Sequence, residues 1–124
     1  MLAAVRASHE HLDLDVLDAL TRGADELPAV IGELNSRTAV HDQPPPSRGW
    51  VVVSTCNRLE IYLDAHRFHD GVELVIDAVA RTSGRERDLV SLCFDAAMDA
   101  PPVARHLDEV TSGLRSVVLG EAEI

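Results

Sequence analysis

Val51-Val52-Val53-Ser54-Thr55-Cys56-Asn57-Arg58-Leu59-Glu60-Ile61-Tyr62 is the stretch whose reading decides the fold. Three consecutive valines read as a buried strand. The strand breaks at a short polar turn. A second strand leaves that turn, with Leu59, Ile61 and Leu63 alternating against Arg58, Glu60, Tyr62 and Asp64. A thiol, Cys56, is thereby placed where two strands meet. Its neighbours are hydroxyls, an amide and a guanidinium rather than hydrocarbon. A cation close by favours thiolate over thiol, and the thiolate is the reactive form. The residues alone leave two readings of Cys56 open, a nucleophile or a structural cysteine.

Working outward, residues 2–7 read as a first strand, and residues 12–20 start a helix. Leu27, Val30, Ile31 and Leu34 follow the i, i+3, i+4, i+7 pattern of a helix with one buried stripe, Pro28 lying in its first turn. Residues 42–49 contain Pro44-Pro45-Pro46 and read as a stiff surface connector. Val72, Val75, Ile76 and Val79 mark a second amphipathic helix that stops near Ser83-Gly84. Val90, Leu92 and Phe94 alternate with Ser91 and Cys93, which predicts a fourth strand with Cys93 as a packing residue. Asp99 is placed to cap a third helix, with Pro101 at its start, Val103, His106, Leu107 and Val110 on one face, and Gly113 ending it. Residues 114–119 are apolar and fit strand or helix. The order strand, helix, strand, strand, helix, strand, helix predicts an α+β fold: a ferredoxin-like split βαβ sheet with packed helices.

The bulk numbers bound the function. A chain of 124 residues supports one domain with one core. With aromatics at 3% and hydrophobics at 46%, that core has to be built from Val, Leu, Ile and Ala. A net charge of −10 should repel a phosphate backbone, which argues against tight nucleic-acid binding by these residues alone. Two cysteines, Cys56 and Cys93, are too few for a disulfide framework. The opening residues lack the apolar run of a signal peptide, and no stretch approaches the roughly 20 apolar residues that span a bilayer. The expected compartment is the reducing cytoplasm. The sequence stops at Ile124 without a polar tail, which reads as a boundary inside a longer protein.

Further side chains invite chemistry. His106, on the apolar face of its helix, fits a core histidine with one satisfied hydrogen bond, or a general base aimed at a substrate carbonyl. His9 and His11, and His66 and His69, lack the partners that would complete a metal site, so no metal is expected. Ser116 and Glu121 flank Val117-Val118-Leu119-Gly120, as a capped turn or as a hydroxyl and carboxylate that recognise a small polar ligand. Neither GxGxxG nor GxxxxGK[ST] occurs, so this chain carries no nucleotide-binding element of its own.

Ser54-Thr55-Cys56-Asn57-Arg58-Leu59-Glu60-Ile61-Tyr62 resembles the signature of the glutamyl-tRNA reductase family. A second block resembles it too, His106-Leu107 followed by residues 110–121, Val-Thr-Ser-Gly-Leu-Arg-Ser-Val-Val-Leu-Gly-Glu. The blocks come in the family's order and at about its spacing. Ser8-His9 looks like the family's opening pair, so the resemblance covers essentially the whole chain.

That resemblance implies a mechanism. The family reduces glutamate esterified to its tRNA to glutamate-1-semialdehyde, the entry to tetrapyrrole (porphyrin and haem) synthesis. Cys56 would attack the ester carbonyl, release the tRNA and hold a glutamyl thioester, which NADPH would reduce. By matching positions, Thr55, Asn57 and Arg58 would contact the glutamyl substrate, Arg58 being suited to pair a carboxylate. His106 matches a histidine that matters for activity, and Ser116, Glu121 and Glu123 fall where the family contacts substrate. Residues 1–124 would be the N-terminal catalytic domain, unable to reduce anything alone. An NADPH-binding domain and a helical domain for homodimerisation would follow, with the product passed to the next enzyme, an aminomutase. The chain departs from the family's pattern at Glu10-His11-Leu12-Asp13, at Asp108 and at Glu123. Those departures motivate an alternative, a non-catalytic homologue acting as a regulatory or protein-binding module. A cysteine hydrolase using Cys56 and His106 is a third reading.

Overall fold

The computed structural model describes residues 1–37, 43–55 and 57–98, together with 116–121; for residues 98 and 116–121 it describes the backbone alone. Five strands form one antiparallel sheet: β1 (Leu2–Ser8), β2 (Ser47–Ser54), β3 (Arg58–Ala65), β4 (Asp95–Met98) and β5 (Ser116–Glu121). Their spatial order is β4-β1-β3-β2-β5. β3 pairs antiparallel with both β1 and β2, so β1 and β2 run parallel on either side of it. That is the split βαβ arrangement, and β5 extends it beyond β2. The α+β, ferredoxin-like expectation therefore holds.

Four α-helices accompany the sheet among the described residues: α1 (Leu14–Thr21), α2 (Leu27–Arg37), α3 (Phe68–Ser83) and α4 (Arg87–Cys93). A single turn of 3-10 helix (Ala24–Glu26) joins α1 to α2. Pro28 sits in the first turn of α2, where its missing N–H costs nothing. α3 stops at Gly84, whose φ of 72° lets its N–H reach the Ala80 carbonyl at 3.0 Å.

Side chains on one face of the sheet meet the helices. Ala3, Val5 and Ala7 of β1, Leu59, Ile61 and Leu63 of β3, and Trp50 and Val52 of β2 share a core with Leu17, Leu20, Ile31, Leu74, Val75 and Val79. Close approach of α3 depends on Gly71, where an added Cβ would lie 3.2 Å from Leu63 and 3.3 Å from Ala65. Trp50 donates from its indole N–H to the Pro28 carbonyl at 3.1 Å, which ties β2 to α2. Asn35 does the same further along, donating to the Ser47 carbonyl at 2.8 Å and accepting from the Ser47 N–H at 3.0 Å.

One expectation fails. Residues 90–94 are not a strand: α4 runs through Cys93, and β4 begins at Asp95. The alternation of Val90, Leu92 and Phe94 was real in composition but not in burial. Val90 is fully buried, whereas Leu92 is 86% exposed. An apolar period of two over three positions does not separate strand from helix. Tertiary contacts decide it, because the Arg87 side chain reaches Glu73 and Asp77 on α3 and anchors the first turn of α4. The third helix expected from Asp99 to Gly113 lies outside the described residues. Of the apolar segment that fitted either state, residues 116–119 belong to strand β5.

Candidate functional site at the β2–β3 hairpin

The polar turn between β2 and β3 is held by Thr55. Its backbone N–H donates to the Arg58 carbonyl at 2.9 Å. Its hydroxyl oxygen accepts from the N–H groups of Asn57 (3.2 Å) and Arg58 (3.1 Å). A hydroxyl that gathers two successive backbone donors fixes a tight turn. The hairpin tip is also tied to the end of β1, because the His9 N–H donates to the Asn57 carbonyl at 2.9 Å. Thr55 thus shapes the tip through its backbone and its hydroxyl, and Asn57 through its backbone. The predicted nucleophile, Cys56, lies outside the described residues, as do His106 and Glu123. Ser116 and Glu121 lie on β5, with Ser116 opposite Ser54 and Glu121 opposite Gly49. That register puts Ser116 on the strand end nearest the hairpin tip and Glu121 at the far end.

Arg58 leads into the face of the sheet opposite the helices. The alternation in β3 sets Arg58, Glu60, Tyr62 and Asp64 on this face, and the structure buries its middle, Glu60 and Tyr62, while Asp64 stays exposed. Ala4, Val53 and Tyr62 form a second apolar cluster there, and Glu60 is only 2% exposed. A carboxylate is expensive to bury unless paired. The Tyr62 hydroxyl donates to Glu60 Oε2 at 2.5 Å, and Arg58 Nη1 stands 3.5 Å from Glu60 Oε1. Burial holds the Tyr62 phenol far above its ordinary range; the hydrogen bond to Glu60 and the Glu60 charge add to this, and Arg6 and Arg58 oppose it. Arg58, Glu60 and Tyr62 therefore form one polar row along β3.

A cavity of about 180 Å³ opens beside this row, lined by Arg6, Ser8, Glu10, His11, Arg58 and Glu60, with Cys93 and Asp95 on its far wall. Cross-strand register explains the grouping: Arg6 lies opposite both Glu60 and Asp95, and Ser8 opposite Arg58. A cavity with two guanidinium groups and three carboxylates on its wall suits a ligand that carries both charges, such as a zwitterion. The larger cavity, about 300 Å³ between α1 and α4, is lined mainly by apolar side chains such as Val16, Leu20 and Leu89. Cys93 borders both cavities. Its thiol donates to the Leu89 carbonyl at 3.3 Å, and burial pushes its pKa up, so it behaves as a packing residue. Among the described residues no three His, Cys, Asp or Glu side chains group as a metal site. Nor is any helix among them long and apolar enough to cross a membrane.

Sequence reasoning named Thr55, Asn57 and Arg58 and missed Glu60, Tyr62 and Arg6. It read Glu60 and Tyr62 only as positions alternating with Leu59, Ile61 and Leu63 along a strand. The available clue was chemical: Arg, Glu and Tyr at i, i+2 and i+4 stand side by side on one strand face.

What the fold and hairpin define is a ferredoxin-like domain with a polar hairpin turn and, nearby, a cavity lined by arginines and carboxylates. Residues 5–124 match the family model described as glutamyl-tRNAGlu reductase, N-terminal domain, and the chain belongs to that family. A glutamyl-tRNA reductase of Clavibacter michiganensis is 37% identical over 129 residues, covering 100% of this chain and 27% of the relative. One from Micrococcus luteus is 39% identical over 123 residues, covering 95% and 24%. The solved glutamyl-tRNA reductase from Methanopyrus kandleri superposes with a TM-score of 0.57 at 22% identity, over 93% of this chain and 23% of that one, a likeness of fold. The chain thus spans about a quarter of the length of these relatives.

Proposed function

We propose that this chain is the catalytic domain of a glutamyl-tRNA reductase, with Cys56 as nucleophile. The supporting observation is the family match over residues 5–124, which includes the Thr-Cys-Asn-Arg turn. The Cys56 sulfur adds to the ester carbonyl of glutamyl-tRNA, and the bond from that carbon to the ribose oxygen breaks. The tRNA leaves with its hydroxyl restored, and glutamate remains as a thioester. One hard step becomes two easier ones. Arg58 offers donors to the glutamyl carboxylate, its Glu60 contact occupying one corner of the guanidinium. Thr55 and Asn57 keep the turn that presents Cys56 rigid, and His106, Ser116, Glu121 and Glu123 complete the substrate contacts.

The described residues do not fit NADPH. Among the described residues the sheet is antiparallel, and the two glycines with positive φ, Gly23 and Gly84, follow helices rather than turn a strand into a helix. We assign the hydride donor to a part of the protein outside this chain, together with the homodimer contact and any hand-over of the semialdehyde.

The test uses the full-length protein with glutamyl-tRNA and NADPH. Cys56→Ser should lose semialdehyde formation by at least ~10³-fold, since removal of a covalent nucleophile is among the largest single losses. Undiminished product from the variant would remove Cys56 from the mechanism, whereas a parent that forms no semialdehyde would favour a non-catalytic module.

A further inference from the structure

We propose that Tyr62 is a positioning residue for the substrate-binding arginine: it fixes Glu60, and Glu60 in turn holds the Arg58 guanidinium at the wall of the polar cavity. This rests on the proposed function, because it takes Arg58 to be the group that meets the glutamyl carboxylate. Three observations carry it. Tyr62 and Glu60 are both 2% exposed, so neither reaches solvent for a substitute partner. The phenol donates to one carboxylate oxygen at 2.5 Å while the other faces Arg58 at 3.5 Å, so the two oxygens are divided between the two neighbours. Arg58, by contrast, lines the cavity and is one quarter exposed at its side chain (27%), so its remaining donors face ligand space.

The physical logic is rotational. A carboxylate with one oxygen pinned by a buried hydroxyl cannot swing about its terminal torsion, so the oxygen left for Arg58 stays where it is. An arginine free of that pin would lose side-chain entropy on each binding event, which weakens affinity rather than the chemical step. Ala4 and Val53 pack around the ring, and Phe would keep those contacts while deleting only the hydroxyl.

Steady-state kinetics of the full-length enzyme test this. Tyr62→Phe should raise KM for glutamyl-tRNA ~10-fold with kcat changed less than ~3-fold, the scale expected for losing one hydrogen bond to a charged group. Tyr62→Phe combined with Arg58→Lys should raise KM no further than Arg58→Lys alone, because Tyr62 acts through Arg58. Additive KM penalties would overturn the proposal, and so would a Tyr62→Phe KM within 2-fold of the parent. If Tyr62→Phe fails to fold, Glu60→Gln reads the same cycle, since it keeps the shape and the acceptor for Tyr62 but removes the charge facing Arg58. Cys56→Ser, run alongside, separates the two ideas. Activity in that variant would remove the proposed function itself, whereas an unchanged KM in Tyr62→Phe beside an inactive Cys56→Ser would remove only the positioning role.

Discussion

Both faces of the sheet hold buried side chains, of different materials. Against the helices lie Ala3, Val5, Leu59, Ile61, Leu63 and Val52, all hydrocarbon and at most 1% exposed. On the opposite face, Ala4, Val53 and Tyr62 give way along β3 to Glu60 and Arg58. Hydrocarbon packing is non-directional and stabilises in proportion to the area removed from water. A buried carboxylate contributes little net stability, but it fixes its partners in space. The first face therefore supplies the fold, and the second supplies an oriented guanidinium beside a cavity.

Substitutions can break that division of labour. The largest expected effect is on the helix side. Ile61→Ala should cost ~2–5 kcal/mol, since the site is fully buried and cannot collapse around the lost methylenes. Denaturant unfolding followed by Trp50 fluorescence measures it, Trp50 being the one tryptophan in the chain. A cost as small as that of an exposed residue would mean that the helices do not depend on this face.

A smaller effect sharpens the polar side. Tyr62 is the only tyrosine of these 124 residues, so its phenolate absorbance reports one group. Its folded pKa lies above the ordinary value, chiefly through burial. The sign follows: the folded state holds the proton more tightly than the unfolded chain does. The stabilisation is fully present below pH ~10, where the unfolded phenol is still protonated, and is lost as pH rises beyond it. Phenolate should appear together with unfolding. Reversible ionisation near pH ~10 with Trp50 fluorescence unchanged would contradict the burial of this face.

The smallest effect concerns the far wall of the cavity. Burial raises the Cys93 thiol pKa, so alkylation of folded protein at neutral pH should be several times slower at Cys93 than at the same site in the unfolded chain. Mass spectrometry of iodoacetamide-treated protein reads the site directly. Equal rates in folded and unfolded protein would show that the thiol is open to solvent.

Much of this was legible in the chain. The i, i+3, i+4, i+7 pattern from Leu27 found α2, Gly84 marked the end of α3, and the polar break after Val53 found the hairpin, because each is a local preference written in consecutive residues. The segment around Val90 misled, since its helix depends on Arg87 meeting Glu73 and Asp77, acidic residues 14 and 10 positions earlier in the sequence. The candidate site divided the same way. Thr55, Asn57 and Arg58 stood out by their place in the family's motif, whereas Glu60 and Tyr62 were only the alternate positions of a strand.

The sequence by itself determined the strands and helices whose pattern is local, β1, β2, β3, α2 and α3, where the hairpin turns and which side chains could do chemistry, because periodicity and turn residues act within a few positions. Only the tertiary structure decided that the middle of β3, from Leu59 to Leu63, is buried on both faces. Its partner strands β1 and β2 come from 50 residues earlier and from across the hairpin, and burial is a property of what surrounds a side chain. That enclosure is what turns Arg58, Glu60 and Tyr62 from three polar residues into one fixed array.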